Sequence, residues 1–324
     1  MAVNVGYAET NAFEQRRAPR WRALRGLARK KVAMIAIAYL IVFYGAGFFA
    51  PVVATHDPNR QELTVETVRQ GPSADHLFGT DALGRDLFSR VAYAARTTIL
   101  FTIIVLLTGG VFLGLGLGLL AGYRGGWVDT LIMRVGEVLA GLPTLLLMLA
   151  IAAAFRTRIN DIAFWLEDNT FLGDDAPTLV KFMIVVGAAV PFAWIGSSRI
   201  VRSQVLAIRE QEYVLAAEAM GASTWRILVR HLLPGVLPIF MVGLSGGMAA
   251  IAGAEVALSW LGLGIDPPGS SFGSLISEAG GVRTFQTFPH LLIASATPVI
   301  LFFFAWNLLG DTLVDWVEPR TRGR

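Results

Sequence analysis

Six stretches of the chain carry no charged side chain over a length that suits a membrane-spanning helix. A helix needs about 20 apolar residues to cross the hydrocarbon core of a bilayer. The stretches are Val32–Ala54, Thr97–Tyr123, Val138–Phe155, Phe182–Ser198, Leu232–Ala254 and Leu291–Gly310. The third and fourth, with 18 and 17 residues, are also short enough for buried helices of a soluble protein. The pattern predicts an all-α membrane protein with six transmembrane helices.

The composition excludes a single water-soluble globule. Hydrophobic residues make up 54% of the 324 residues and charged residues only 16%, whereas a soluble domain has about 25% charged residues. Too few polar side chains are present to cover the surface of a globule of this size. The absence of cysteine also excludes disulfides and thiolate metal sites.

Positive charge is distributed unevenly between the two sets of connections. The connections on the side of the termini hold 18 Lys and Arg, and the opposite set holds nine together with the acidic stretches Asp57–Asp86 and Asp161–Asp175. The positive-inside rule then places both termini in the cytoplasm. The basic run before the first span is interpreted as a retained anchor, because its apolar stretch is about twice the length of a signal-peptide core. We expect it to contact membrane lipid and no nucleic acid.

Small residues form a stripe in the second span. Gly110, Gly114, Gly118 and Gly122 recur at every fourth position, so they share one face of a helix and allow another backbone to approach closely. The partner helix could belong to this chain or to a second chain.

Three polar residues near or within the fifth span are candidates for a translocation pathway. They are Ser245, Glu255 and Ser259. An ionisable residue inside a membrane span usually faces a cavity or a partner. The alternative is a structural role, in which Glu255 is hydrogen-bonded between helices and the serines bond to their own helix.

The connection Arg199–Pro234 predicts an elbow of two helices outside the membrane. Residues Glu210–Met220 are mostly good helix formers. Gly221 can take the left-handed conformation that ends a helix, and Ser223 suits the N-cap of a second helix. The mixture of small apolar and charged side chains favours docking into a groove of another protein. An amphipathic hairpin on the lipid surface is the alternative.

Residues 215–234, LAAEAMGASTWRILVRHLLP, resemble the EAA loop of permease subunits of ABC importers. The positions in register are Ala216, Ala217, Gly221, Leu233 and Pro234. Leu215 stands where the loop has Glu, and His231 stands where it has Ile, as is usual in the peptide branch. This sequence departs from the loop at its charged position, so the charged contact of the family requires Glu212 or Glu218 to take over from the missing glutamate.

Four further segments resemble the C-type permease of the dipeptide, oligopeptide and nickel transporter family. They are HLFGTDALGRDLFSR at His76–Arg90, AGYRGGWVDTLIMR at Ala121–Arg134, SWLGLGIDPP at Ser259–Pro268 and NLLGDTLVDWVEPR at Asn307–Arg320. The resemblance implies a type I ABC importer permease core with an extra N-terminal helix. The expected regions are a basic tail (1–31), an N-terminal helix with an outer loop (32–96), a five-helix core (97–311) that contains the coupling loop (199–234), and a C-terminal tail (312–324).

The resemblance also implies which subunits make up the transporter and which of them bind ATP. No lysine of the chain follows a glycine, so the phosphate-binding Gly-x-x-x-x-Gly-Lys loop is absent, and we expect no catalytic residues and no cofactor in this chain. The implied partners are a second permease in a heterodimer, two ATPases that bind ATP and Mg²⁺, and an extracytoplasmic substrate-binding protein, at a bacterial inner membrane. The implied ATPase-coupling residues are Glu212, Ala216, Ala217, Glu218, Gly221, Arg226, His231, Leu233 and Pro234.

Two other functions are compatible with parts of the sequence. A permease of the same family could import nickel, opines, oligosaccharides or glutathione. An intramembrane serine protease is suggested by Gly-x-Ser-x-Gly around Ser245 together with His290, but that motif requires a strand–turn–helix elbow and here lies within an apolar span. Four dispersed histidines without a His-Glu-x-x-His pattern predict no metal site.

Overall fold

The computed structural model describes residues 30–169, 176–265 and 269–317, which are mostly helical. The helices are α1 (Lys31–Phe48), α2 (Ala50–Val53), α3 (Leu87–Arg124), α4 (Gly126–Ala140), α5 (Thr144–Asn169), α6 (Ala176–Ile208), α7 (Glu212–Ala219), α8 (Thr224–Trp260), α9 (Phe272–Ala279), α10 (Val282–Thr287) and α11 (Pro289–Val317). Two of them include wider π-helical turns, at Leu106–Leu115 of α3 and at Ile227–Leu232 of α8. The basic tail and residues 318–324 lie outside the described residues.

Among the described residues, five helices are long and apolar enough to cross a membrane: α1, α3, α6, α8 and α11. Each contains one of the predicted apolar stretches, although α1 ends at Phe48, before its stretch does, and the short α2 follows it. The chain is therefore a multi-pass membrane protein. The helices also extend beyond the stretches, and α11 continues to Val317 across the expected start of the C-terminal tail.

The third predicted span is a pair of helices that meet at a sharp bend. α4 ends at Ala140, α5 begins at Thr144, and the two axes are bent by 86°. Pro143 has no N–H to continue the hydrogen bonds of α4 and restricts the residue before it. Among the described residues, this bent pair is the sixth candidate span. α5 continues to Asn169, so part of the expected acidic loop is helical, and residues 170–175 lie outside the described residues.

The extra N-terminal helix belongs to the same helical core as the other spans. The ring of Phe43 in α1 lies against Phe302 in α11, with 4.7 Å between the ring centroids. The Tyr39 hydroxyl of α1 donates to the carbonyl oxygen of Pro298 in α11. The apolar cluster around this contact also includes Leu87 and Val91 at the start of α3, so α1 packs against both helices.

The glycines of α3 bring its backbone against α6 of the same chain. A Cβ atom added at Gly114 would lie 2.5 Å from the Cβ of Ser197, and one added at Gly118 would lie 2.6 Å from the Cβ of Val201. These distances are shorter than any ordinary contact between side chains, so only glycine permits this helix spacing. Gly122 makes the equivalent approach to Val205, at 2.6 Å.

The fourth glycine of the predicted stripe does not take part in the close contact. A Cβ atom at Gly110 would have ordinary contacts at 3.4 Å or more, whereas one at Gly109 would lie 2.6 Å from the Cβ of Ala193. The close contacts are thus five residues apart between Gly109 and Gly114. The π-helical turns of this part of α3 explain the shift, because their hydrogen bonds join residues five apart.

α4 is attached to α6 by a bidentate ion pair. The chain turns between α3 and α4 at Gly125 and Gly126, which have φ angles of +63° and +55°. The guanidinium group of Arg202 in α6 then binds both carboxylate oxygens of Asp129 in the first turn of α4, at 2.5 Å for the second oxygen. This ion pair holds the first turn of α4 against α6.

We expect Gly118→Val to destabilise the protein and Gly116→Val to be tolerated. The added side chain at Gly118 would overlap Val201, whereas a Cβ at Gly116 meets nothing within 4 Å. Overpacking of this kind costs about 1–3 kcal/mol. The midpoint of thermal unfolding of the chain in detergent measures the difference. Equal midpoints for the two variants would contradict the close contact between α3 and α6.

Candidate functional site

The elbow between α6 and α8 has the predicted left-handed glycine. Gly221 has a φ angle of +77°. Its N–H donates to the carbonyl oxygen of Glu218 at 2.9 Å, and the N–H of Ala222 donates to that of Ala217 at 3.0 Å. This pair of hydrogen bonds is a Schellman motif, which ends α7 and reverses the chain. The sequence prediction of a helix–glycine–helix elbow is confirmed.

The second arm of the elbow leads directly into a membrane span. Ser223 caps α8, because its Oγ accepts a hydrogen bond from the N–H of Arg226 at 3.4 Å. α8 then continues without interruption past Pro234 and Pro238 to Trp260. The π-helical turns Ile227–Leu232 come immediately before Pro234, so the helix is wider where proline removes a donor. Neither proline divides the helix.

Buried side chains hold the elbow on the ends of α3 and α6. Val214, Ile227 and Leu232 are almost completely buried in one apolar cluster with Leu119, Val201 and Val205. The guanidinium group of Arg209 donates to the carbonyl oxygen of Gly122 at 3.0 Å. The Tyr123 hydroxyl interacts with the side chains of Glu218 and Thr224. The elbow is therefore packed against the bundle and is not a loose loop.

The tip of the elbow exposes large apolar side chains. Met220 is 82% exposed and Trp225 is 74% exposed. Of the nine predicted coupling residues, Ala217 is buried, His231 and Leu233 are half-buried, and the exposed ones are Glu212, Ala216, Glu218, Gly221, Arg226 and Pro234. The exposed set surrounds an apolar tip with charged groups of both signs, an arrangement that suits docking into a groove of a partner protein. Trp225 was not singled out from the sequence.

Glu255 is completely buried and is hydrogen-bonded between elements. Thr98 of α3 donates to Oε2 of Glu255 at 2.9 Å, and Ser259 donates to Oε1 at 2.9 Å. The N–H of Ile265 donates to Oγ of Ser259 at 3.3 Å, which joins the chain beyond α8 to the same network. This arrangement matches the structural role given above as the alternative to a pathway role, in which Glu255 is hydrogen-bonded between helices. A pathway role for Glu255 and Ser259 stays a prediction.

Ser245 lies apart from this network and apart from His290. Its Oγ donates to the carbonyl oxygen of Val242 at 2.6 Å and would lie 3.0 Å from a Cβ atom added at Gly310 in α11. His290 is 20 residues earlier in the same helix, or roughly 30 Å away at the helical rise of 1.5 Å per residue. The serine and the histidine of the protease hypothesis therefore do not meet.

A buried ion-pair network holds the segment 54–86 against α9, and sequence reasoning missed it. Arg85 and Arg90 are 5% and 1% exposed at their side chains. Both guanidinium groups contact the carboxylates of Asp81 and Glu278; Arg85 lies 2.7 Å from Asp81, and Arg90 lies 2.6 Å from Glu278. Asp81, Arg85 and Arg90 all belong to the segment His76–Arg90, so the available signal was the presence of charges of both signs within that short segment.

Two glycines of the same segment allow the chain to fold back on itself. Gly79 and Gly84 have φ angles of +80° and +69°. A Cβ atom would lie 2.2 Å from the carbonyl oxygen of Gln70 at the first position and 2.0 Å from that of Glu62 at the second. These turns place Asp81 and Arg85 against α9.

Asp86 begins α3 and is held in its ionised form. Its Oδ2 accepts a hydrogen bond from the N–H of Ser89 at 2.8 Å, which caps the helix. Burial opposes ionisation of this carboxyl group, but the hydrogen bonds from Ser89 and His76 outweigh it and lower the pKa of Asp86. A negative charge at the N-terminus of a helix is also favoured by the helix dipole.

The chain belongs to the family of inner membrane components of binding-protein-dependent transport systems. The sequence profile of that family matches residues 114–323. A second profile, that of the N-terminal transmembrane domain of oligopeptide transport permease C, matches residues 19–72. The first match covers most of the helical core, from within α3 onward, and the second match covers α1.

Several curated proteins are similar over almost the whole chain. The dipeptide transport system permease protein of Bacillus subtilis strain 168 is 34% identical over 93% of this chain and 85% of its own length. The oligopeptide transport system permease protein of the same strain is 30% identical over 99% of this chain and 96% of its own length. The glutathione transport system permease protein of Pectobacterium atrosepticum is 32% identical over 93% of this chain and 92% of its own length. The chain is thus similar to C-type permeases throughout.

We expect Arg90→Gln to destabilise the protein far more than Arg60→Gln. Removal of Arg90 leaves the buried carboxylate of Asp81 with one fewer cation, and breaking a buried pair costs about 3–5 kcal/mol. Arg60 pairs with Glu62 at 3.0 Å on the surface, where a pair is worth about 0–1 kcal/mol. Thermal unfolding of both variants in detergent tests this. A small loss for Arg90→Gln would show that the network is dispensable.

Proposed function

We propose that this chain is a transmembrane permease subunit of an ABC importer for dipeptides or oligopeptides. With a second permease it forms the pathway through the membrane. Support for the cargo class comes from the names of the similar proteins, two of which are dipeptide and oligopeptide permeases of Bacillus subtilis. A glutathione permease is a similarly close relative, and glutathione is itself a small peptide.

The elbow of residues 209–226 is the observation that carries this proposal. Its exposed tip, Met220 and Trp225, enters a groove of a partner ATPase, while its buried side supports it on α3 and α6. Because α8 begins inside the elbow and crosses the membrane as one helix, a displacement of the elbow is transmitted to the interior. Glu212 and Glu218 are both exposed, and one of them takes the contact that the glutamate missing at position 215 makes in related loops.

The remaining subunits supply what this chain lacks. Two ATPases bind ATP and Mg²⁺, a second permease completes the pathway, and an extracytoplasmic binding protein delivers the cargo. Both termini and the elbow lie in the cytoplasm, because that side holds 18 of the 27 Lys and Arg residues. The contribution of this chain is mechanical: the helix bundle alternates between inward-open and outward-open states as the ATPases close and open.

Purification of the chain from its native host in mild detergent tests the assembly. Mass spectrometry should identify a second permease, one or two kinds of ATPase and a binding protein among the co-purified proteins. The purified complex, reconstituted into liposomes that contain ATP, should take up dipeptides or oligopeptides. A folded chain that is recovered alone, under conditions that preserve transporters of this type, would contradict the proposal. Uptake of nickel or a sugar without peptide uptake would overturn only the cargo.

Within the same assay, Gly221→Val should assemble with the ATPases but lose coupled uptake. A Cβ atom at this position meets nothing within 4 Å, so the cost is the positive φ alone, about 1–2 kcal/mol. That cost shifts the ratio of native to distorted elbow by roughly 5–30-fold. Gly221→Asn is the matched control, because asparagine tolerates the left-handed conformation. Coupled uptake at the wild-type rate in Gly221→Val would show that the elbow conformation is not needed.

Glu255→Gln distinguishes the pathway role from the structural role. Glutamine still accepts a hydrogen bond from Thr98 or Ser259, so the variant should fold in either case. We expect uptake to stay within about threefold of the wild type if Glu255 is structural, since a retained hydrogen bond changes stability by about 1 kcal/mol or less. A much larger loss of uptake with unchanged thermal stability would instead assign Glu255 to the pathway. Glu255→Leu, which leaves both hydroxyl groups without their acceptor, should destabilise the chain and serves as the control.

A further inference from the structure

Two of the four histidines of the chain meet at Asp86, at the start of α3. Nδ1 of His76 lies 2.9 Å from Oδ1 of Asp86, and Nδ1 of His56 lies 3.9 Å from the same oxygen. The two imidazole rings are 4.7 Å apart at their centroids. One potential ligand atom from each residue lies within 4.8 Å of those of the other two. Sequence reasoning missed this cluster because its members are up to 30 positions apart.

The two carboxylate oxygens of Asp86 make different contacts. Oδ2 caps α3 through the N–H of Ser89 and also accepts from the Thr55 hydroxyl at 3.3 Å. Oδ1 faces the two imidazole rings. Because only Oδ2 is used to cap α3, Oδ1 is directed at the two histidines.

We propose that His56, His76 and Asp86 bind a divalent transition-metal ion, with Zn²⁺ as the best match. Imidazole nitrogen and carboxylate oxygen are both ligands of Zn²⁺, at about 2.0–2.2 Å. Tetrahedral ligands at that distance lie about 3.3 Å from each other. The distances from Asp86 to the two histidines, 2.9 and 3.9 Å, bracket this value. The potential ligand atoms of the two histidines lie within 4.8 Å of each other, so side-chain shifts of up to about 1.5 Å complete the site.

The proposed site has an open fourth position and joins separate parts of the chain. The side chain of His56 is 38% exposed, so water completes the coordination. His56 follows α2, His76 belongs to the folded segment before α3, and Asp86 begins α3 itself. A bound ion therefore links both ends of the segment 56–86 to the helix. The competing explanation is that Asp86 and His76 only share a hydrogen bond and that His56 stacks on His76, which predicts no metal affinity.

The test is a Zn²⁺ titration of the full chain, purified in detergent with a histidine-free affinity tag and stripped of metal with a chelator. Competition with a fluorescent chelator should reveal one Zn²⁺ per chain. His56→Gln and Asp86→Asn should each weaken binding at least roughly tenfold. Asparagine is as good an N-cap as aspartate, so Asp86→Asn removes the charge while α3 stays capped. His231→Gln, at the elbow, is the matched control and should bind as the wild type does.

A second measurement reports where the ion binds. Arg60 is exposed within the linked segment, so Zn²⁺ should slow tryptic cleavage after Arg60 in the wild type and not in His56→Gln. Absence of saturable binding by a monodisperse, helical wild-type chain would overturn the proposal. Equal affinity in the wild type, His56→Gln and Asp86→Asn would overturn it as well, as would a loss of binding in His231→Gln, because the ion would then be elsewhere.

Discussion

The close approach of α3 to α6 is the contact on which the rest of the structure depends. It requires glycine at 109, 114, 118 and 122 of α3, because any Cβ there would overlap side-chain atoms of α6. Membrane helices gain little from the hydrophobic effect between themselves, so such backbone-to-side-chain packing provides much of the specificity of the fold. At one end of this contact, α3 and α6 form an apolar surface. Val214 and Ile227 of the elbow are buried against that surface.

α8 connects the elbow to the interior of the helix bundle. α8 begins in the elbow, where Ser223 caps it, and contains the π-helical turns before Pro234 and the buried Glu255. The network of Glu255 with Thr98 ties the middle of α8 to α3. The elbow and the interior are therefore parts of one continuous element, and the wider π-helical turns mark the place where its geometry is least regular.

The opposite end of the bundle is organised by charge. Asp81, Arg85, Arg90 and Glu278 neutralise one another between the folded segment and α9. Burial of so many charges is tolerated because each guanidinium group contacts two carboxylates. The glycine turns at 79 and 84 make this arrangement possible, and Asp86 at the edge of the network both starts α3 and faces the two histidines.

The sequence by itself determined the elements that depend on local chemistry. Apolar length identified the spans, and the residues around Gly221 and Ser223 identified the elbow, because capping and left-handed turns depend on a few adjacent residues. The resemblance of five segments identified the permease family. Only the tertiary structure decided the 86° angle between α4 and α5, the close contact at Gly109 where the sequence predicted one at Gly110, and the meeting of His56 with His76. Each of these depends on the path of the backbone through space, which spacing along the chain does not specify.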